Sequence, residues 1–319
     1  MLPRERFAHL PTPIDELPRL SQSLGGPELL VKRDDQTGLA LGGNKTRKLE
    51  YLLGDAIAQQ ADLVLSTGAA QSNHCRQTAA AAARCGLNCT LVLVGPEPEM
   101  PSANYFLDLL LGANIVWTEK SSRDLTLERT FLEAGKSGLK PYLIPYGGSN
   151  AIGAYAYYQA YQELLSQLEG ALPDWIVFAS SSGGTQAGLF LGNQVFGGPR
   201  VLGISVDEPE ERLRDTVARI SGDLIDKLGL ETEIDPGEIH VNAEYTGAGY
   251  GIMNERDREA IRLFADQEGI LLDPVYTGRA AGGLLDLIRK GFFEKKDRVL
   301  FWHTGGTPGL FANRYIQDL

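Results

Sequence analysis

Long apolar runs are missing from this chain. No segment approaches the roughly 18 uninterrupted apolar residues that a membrane-spanning helix needs. The opening stretch M-L-P-R-E-R-F-A-H-L-P-T-P has no apolar core of the signal-peptide kind. Neither feature is therefore expected, and a cytoplasmic location is. Cysteine is scarce: three residues, Cys75, Cys85 and Cys89, fit a reducing compartment. Cys85 and Cys89 have His74 nearby, but a fourth ligand is lacking and the spacing matches no zinc pattern, so no metal is expected. Cys75 lies near a helix start, where a thiol can be activated or simply face inward. Basic charge is short as well. Lys and Arg number 30 against 41 Asp and Glu, a net charge of −11, which excludes nucleic acid and anionic membrane as natural partners. Hydrolase signatures are absent too: there is no G-x-S-x-G and no H-E-x-x-H.

Glycine is plentiful. The 37 glycines fall in turns rather than in a low-complexity tract, which suggests backbone brought close to a ligand. Short apolar runs punctuate the chain at Leu63–Leu65, Cys89–Val94, Ile115–Trp117, Tyr142–Ile144, Trp175–Ala179, Val201–Val206 and Val299–Trp302. Each is followed by turn-forming residues, as expected of parallel strands buried on both faces. Helical spacing appears between them, at Asn73–Cys85, Asn104–Leu111, Leu125–Ala134, Ala154–Leu168, Asn254–Glu268 and Ala280–Lys290. The alternation predicts an α/β protein with mostly parallel twisted sheets. A two-domain division is expected. Residues 45–150 form a small α/β domain, and residues 1–44 with 151–319 form a larger one that binds a cofactor.

Five clusters carry candidate chemistry. G-G-N-K-T-R-K-L-E, residues 42–50, sets Lys45 after a glycine pair at the mouth of a helix, with Asn44 the expected N-cap. Lys45, Arg47 and Lys48 crowd the first turn, where the helix dipole disfavours cations by about 0.3–1 kcal/mol each. A bound anion would offset that, and so would a lysine used as an amine nucleophile. An exposed first-turn lysine is the plainer alternative. S-T-G-A-A-Q-S-N-H, residues 66–74, offers Gln71, Ser72 and Asn73 at a helix start, either as a carboxylate cradle or as a capped helix that binds nothing. S-S-S-G-G-T-Q-A-G, residues 180–188, follows an apolar strand and precedes a helix, the setting of a phosphate site. Its spacing fits neither the dinucleotide fingerprint nor the P-loop. D-P-V-Y-T-G-R (273–279) and H-T-G-G-T-P (303–308) fall at strand ends, and G-A-G-Y-G (247–251) adds Tyr250 on a loop. His303 is open to two readings, a catalytic base or a buried structural residue.

One reactive lysine, one phosphate cup and one carboxylate cradle resemble the parts of the fold-type II pyridoxal-phosphate enzymes, whose architecture is that of the tryptophan synthase β chain. G-G-N-K-T-R-K-L-E, Q-S-N-H and L-L-D-P-V-Y-T-G resemble most closely the branch that contains D-cysteine desulfhydrase, 1-aminocyclopropane-1-carboxylate deaminase and L-cysteate sulfo-lyase. The resemblance runs from Lys32 to Gly306 and implies pyridoxal 5′-phosphate as cofactor. It makes Lys45 the Schiff-base lysine and proton shuttle, and Ser182, Gly183, Gly184 and Thr185 the phosphate cup. Asn73 lies by the phenolic oxygen, Gln71, Ser72 and Asn73 hold the substrate carboxylate, Tyr250 and Tyr276 are active-site tyrosines, and Thr277 partners the pyridine nitrogen. Ser72 joins Lys45 and the two tyrosines as a catalytic candidate. In the deaminase the motif reads Y-E-G, and its glutamate keeps the ring nitrogen protonated. Threonine supplies no ionic partner. The resemblance therefore implies elimination of a sulfur leaving group, first D-cysteine to pyruvate, ammonia and hydrogen sulfide. L-Cysteate sulfo-lyase, the deaminase and a non-catalytic cofactor-binding protein are the alternatives. The branch also implies a small amino-acid substrate and a homodimer.

Overall fold

The computed structural model describes residues 2–168 and 170–318. Ten strands follow in chain order: β1 (Ile14–Glu16), β2 (Glu28–Arg33), β3 (Leu63–Ala69), β4 (Asn88–Val94), β5 (Asn114–Thr118), β6 (Pro141–Leu143), β7 (Trp175–Ser180), β8 (Arg200–Ser205), β9 (His240–Asn242) and β10 (Arg298–His303). They form two sheets, a six-stranded one in the order β1-β2-β10-β7-β8-β9 and a four-stranded one in the order β5-β4-β3-β6. Every ladder is parallel except the pairing of β1 with β2. β7 is buried along its whole length and β10 along all but its first residue, as a parallel strand covered by helices on both faces must be.

The helix Asn44–Ala58 ties the sheets together. Leu49, Leu52, Leu53 and Ala56 enter the core of the four-stranded sheet with Val64, Leu91 and Leu93, and Phe7 of the N-terminal segment joins them. Tyr51 turns the other way and meets Tyr155 of the helix Ala151–Leu168, edge-on at 5.0 Å. The larger sheet has its own core around Phe264, Phe301, Leu284 and Val299. No helix among the described residues is long and apolar enough to cross a membrane.

The carboxyl ends of β3, β7 and β10 run into the segments around Ser72, Ser182 and Thr304. Open α/β sheets gather ligands at such ends. There they enclose a cleft with about 610 Å³ of space, counted to its open mouth.

Candidate active site

The lysine helix begins differently from the sequence expectation. Its N-cap is Gly43, which makes no side-chain cap bond, and Asn44 is the first helical residue. The Asn44 amide reaches instead across the cleft to Thr185 Oγ1 at 3.1 Å. Gly42 has φ +69°, and a Cβ there would collide with the Asp35 carbonyl, so only glycine lets the chain enter the helix at this point.

The three cations of the first turn part company. Arg47 is buried and pairs with Asp34 and Glu163, both at 2.8 Å. Asp34 also takes hydrogen bonds from Thr12, Tyr157 and Trp302. Burial alone would raise its carboxyl, but Arg47 and Lys32 hold it below the usual range. Carboxylates, not a ligand, therefore offset this charge. Lys45 and Lys48 have none. Both amines point at the Gly147 carbonyl, at 3.1 and 3.3 Å. Burial brings Lys45 down to about 8, and burial together with Lys45 drives Lys48 well below its ordinary value. An amine near 8 is a usable nucleophile and proton carrier at neutral pH.

On the 66–74 segment, Gly68 is needed for close approach, since a Cβ would lie 2.6 Å from Ser72 Oγ and 2.7 Å from Cys75 Sγ. Ser72 caps the helix Asn73–Cys85 by accepting from the Cys75 N–H at 3.2 Å. Ser72 and Asn73 line the cleft, and Gln71 does not. Gln71 is held by Asn104 N and the Ser102 carbonyl, both at 3.0 Å, and Asn104 also bonds Asn73 Oδ1 at 2.9 Å. Asn104 thus braces the loop. Its position at the start of the helix Ala103–Leu110 carries no motif that sequence reading could use.

The third cluster forms a turn into the helix Gly184–Phe196, with Gly183 at φ +77°. Ser181, Ser182, Gly183 and Thr185 line the cleft, and a helix start offers N–H groups with no intrahelical partner. Gly184 packs away from it: a Cβ would lie 2.6 Å from Ser149 Oγ and 2.9 Å from Ser149 Cα. Ser149 also bonds Ser182 at 2.8 Å and lies 3.3 Å from Lys48 Nζ. The turn around Gly147–Ser149 therefore closes the cup from the other side.

Tyr276 and Tyr146 line the cleft. Tyr250 stands behind Tyr276, with its hydroxyl 2.6 Å away. Burial pushes both phenols well above the ordinary value, so they hold their protons. Thr277 is not brought to the wall. Its hydroxyl donates to Asp273 Oδ1 at 2.8 Å and accepts from Asp273 N at 2.7 Å. Thr304, at the end of β10, lines the cleft instead. His303 is structural: Gly305 N donates to its Nδ1, which leaves the Nε2 proton for the Leu271 carbonyl. Cys75 faces inward, and burial followed by Asp108 pushes its thiol well up, so it is no activated nucleophile.

Two buried polar atoms of the cleft wall find no protein partner, His74 Nδ1 and Ser180 Oγ. The Ser66 hydroxyl gives its proton to the Ile144 carbonyl at 2.9 Å, so the His74 Nε2–H donates to Ser66 at 2.8 Å and Nδ1 is a bare acceptor. Orphaned polar atoms, an amine near 8 and a helix start suit a polar, phosphorylated ligand. A pyridoxal phosphate fits this donor set: an aldehyde for Lys45, an anion for the cup, and ring substituents for the hydroxyl and amide groups.

Comparison with known proteins agrees. A family model described as pyridoxal-phosphate dependent enzyme matches residues 6–305. The D-cysteine desulfhydrase of Salmonella typhimurium is 40% identical over 318 residues, covering 97% of this chain and 96% of its own. That of Klebsiella pneumoniae is 41% identical over 320 residues, with the same coverage of 97% and 96%. A crystal structure described as an ACC deaminase homologue superposes with a TM-score of 0.91 at 39% identity, covering 100% of this chain and 97% of that one. A hydrogen sulfide-producing enzyme from Fusobacterium nucleatum shares the fold at a TM-score of 0.66 and 15% identity, covering 93% of this chain and 96% of that one. The chain belongs to the pyridoxal-phosphate dependent enzymes of fold type II, and pyridoxal phosphate is its cofactor.

Proposed function

We propose that the protein is a carbon–sulfur lyase that converts D-cysteine and water to pyruvate, ammonia and hydrogen sulfide. The observation that carries this reading is a chemical gap: among the described residues lining the cleft there is an amine, Lys45, and there is no carboxylate. A ring nitrogen held there would meet hydroxyls. The arrangement suits loss of a good leaving group and does not suit opening of an unactivated ring, which needs a protonated nitrogen as a strong electron sink. The names of the relatives that are about 40% identical point the same way.

The cofactor, when bound, supplies the sink for the electron pair left as the α-proton departs. The chain does the rest. Ser182, Gly183, Thr185 and the backbone at Gly184 would hold the phosphate, with Lys48 behind them at 3.3 Å from Ser149 Oγ. Ser72 and Asn73 would orient the substrate carboxylate, with Gln71 and Asn104 fixing their loop. Lys45 would take the α-proton, because an amine near 8 is neutral in a useful fraction at neutral pH. Tyr276, whose hydroxyl lies 2.6 Å from that of Tyr250, would donate a hydrogen bond to the departing sulfur. Thr304, on the cleft wall, would meet the ring nitrogen, because the Thr277 hydroxyl is committed to Asp273. A cytoplasmic homodimer is the assembly we carry over from the branch, to be tested by sedimentation.

The test is release of pyruvate and sulfide from D-cysteine beside L-cysteine, L-cysteate, β-chloro-D-alanine and D-serine. Turnover of D-cysteine and β-chloro-D-alanine supports the reading. Preference for L-cysteate would keep the chemistry and overturn the substrate.

A further inference from the structure

Asp207 is a charge beside the cleft that the chemistry above does not use. β8 runs parallel to β7 with Ser205 opposite Ser180, and the next N–H, of Val206, donates to the Ser180 carbonyl at 2.9 Å. That ladder lays Asp207 alongside Ser181, a residue of the cleft wall. The carboxylate accepts a hydrogen bond from Ser181, while its Oδ1 is buried and finds no protein partner. Burial raises its carboxyl from the usual range, the Ser181 bond opposes that, and no cation pairs with it among the described residues. Glu208 is the next residue and pairs with Arg212 at 3.3 Å. Arg279 and Lys120 are the cations in range, and neither forms an ion pair with Asp207 among the described residues. Arg279 turns its two terminal nitrogens to the carbonyls of Val206, Thr246, Gly249 and Ile252, and lies 3.4 Å from Asp257. Tyr146, Tyr250 and Tyr276 complete the neighbourhood, and all three phenols feel the carboxylate.

The other walls of the cleft have occupants under the function proposed above, on which this inference rests. The cup takes the phosphate, Ser72 and Asn73 take the substrate carboxylate, and Lys45 stands at the α-carbon. The wall that remains, Tyr146, Tyr276 and Ser181, faces the β-substituent, and Asp207 stands behind it. We propose that Asp207 is a specificity-determining residue whose carboxylate excludes amino acids with an anionic β-substituent, such as a sulfonate or a carboxylate, and admits neutral ones such as a thiol. An uncompensated like charge in a partly dehydrated site costs far more than in water, so one carboxylate is enough to discriminate.

Two non-eliminating ligands test this on the holoenzyme: D-alanine and D-aspartate, which differ by one carboxylate, with Kd read from the change in cofactor absorbance. The neutral isostere Asp207→Asn should narrow the ratio of the two Kd values by about tenfold or more, chiefly by tightening D-aspartate. Asp207→Glu, which keeps the charge, should leave the ratio near that of the unmutated enzyme. In parallel, Asp207→Asn should raise kcat/KM for L-cysteate relative to D-cysteine. An unchanged Kd ratio in Asp207→Asn overturns the role of Asp207, and so does an equal loss of discrimination in Asp207→Glu. Failure of the unmutated enzyme to release pyruvate from any substrate overturns the lyase reading instead, and the Kd ratio still reports on Asp207.

Discussion

Lys45 and Arg47 stand two residues apart in the same helical turn, and their surroundings are opposites. Arg47 faces Asp34 and Glu163, inside a network that Lys32, Thr12, Tyr157 and Trp302 complete. Lys45 faces a carbonyl, a second amine and a cleft without a carboxylate. The first cation is satisfied and anchors the helix to the larger sheet. The second has no carboxylate to offset the hydration it loses to burial, which brings its amine down to about 8. A residue is made chemically useful here by what is withheld from it, and its neighbour's network keeps the helix in place while that happens.

Removing the amine gives the largest effect. Lys45→Ala should lose turnover by several orders of magnitude, because the covalent attachment and the proton carrier go together. Borohydride treatment of the unmutated protein should fix the cofactor to Lys45 in peptide maps, and an adduct on Lys48 would exchange the roles of the two amines. Breaking the other side of the comparison should cost stability. Asp34→Ala leaves the buried Arg47 with Glu163 as its remaining carboxylate and takes the acceptor from Thr12, Tyr157 and Trp302, and urea denaturation should register a loss of about 3–5 kcal/mol. A smaller loss would mean that water reaches the network.

Titration sharpens the contrast. In cofactor-free protein, acylation of Lys45 should rise with a midpoint near pH 8, where burial has set its amine. Lys48 accepts a hydrogen bond from the Lys45 ammonium and so favours its charged form, hence Lys48→Met should move that midpoint down. An upward move would show that repulsion between the amines outweighs the bond. The smallest effect is expected at Thr277. Thr277→Val loses its bond to Asp273 and about 1–2 kcal/mol of stability, with the cofactor spectrum unchanged, whereas Thr304→Val should alter that spectrum. The reverse pattern would return the ring-nitrogen contact to Thr277.

Much of this was legible in the sequence. Seven short apolar runs became β3 to β8 and β10, because buried parallel strands advertise themselves as unbroken apolar stretches. β2 was missed: its L-L-V core is followed by Lys32 and Arg33, and Lys32 is buried only because Glu163, far away in the chain, pairs with it at 2.6 Å. The helix Glu210–Leu228 was also passed over, although Leu213, Val217, Ile220 and Leu224 mark a helical face. Lys45, Ser72, Asn73, Ser182, Gly183, Thr185 and Tyr276 meet at one cleft. Gln71, Gly184, Tyr250 and Thr277 sit behind its wall, and no local pattern separates a residue on a wall from one behind it. Asn104 and Ser149 were invisible for a related reason, and Thr304 stood in a marked cluster without a role: what they do comes from contacts across the fold, with Asn73, Ser182 and the cleft.

The most direct test of a cleft that provides an amine and withholds a carboxylate is a choice of substrates offered to the unmutated holoenzyme. Pyruvate and sulfide release from D-cysteine is measured beside 2-oxobutyrate release from 1-aminocyclopropane-1-carboxylate, under the same conditions. The account predicts sustained release from D-cysteine and little or no 2-oxobutyrate. Efficient ring opening would contradict it, because it would show that a ring nitrogen without an anionic partner is no obstacle to that chemistry in this site.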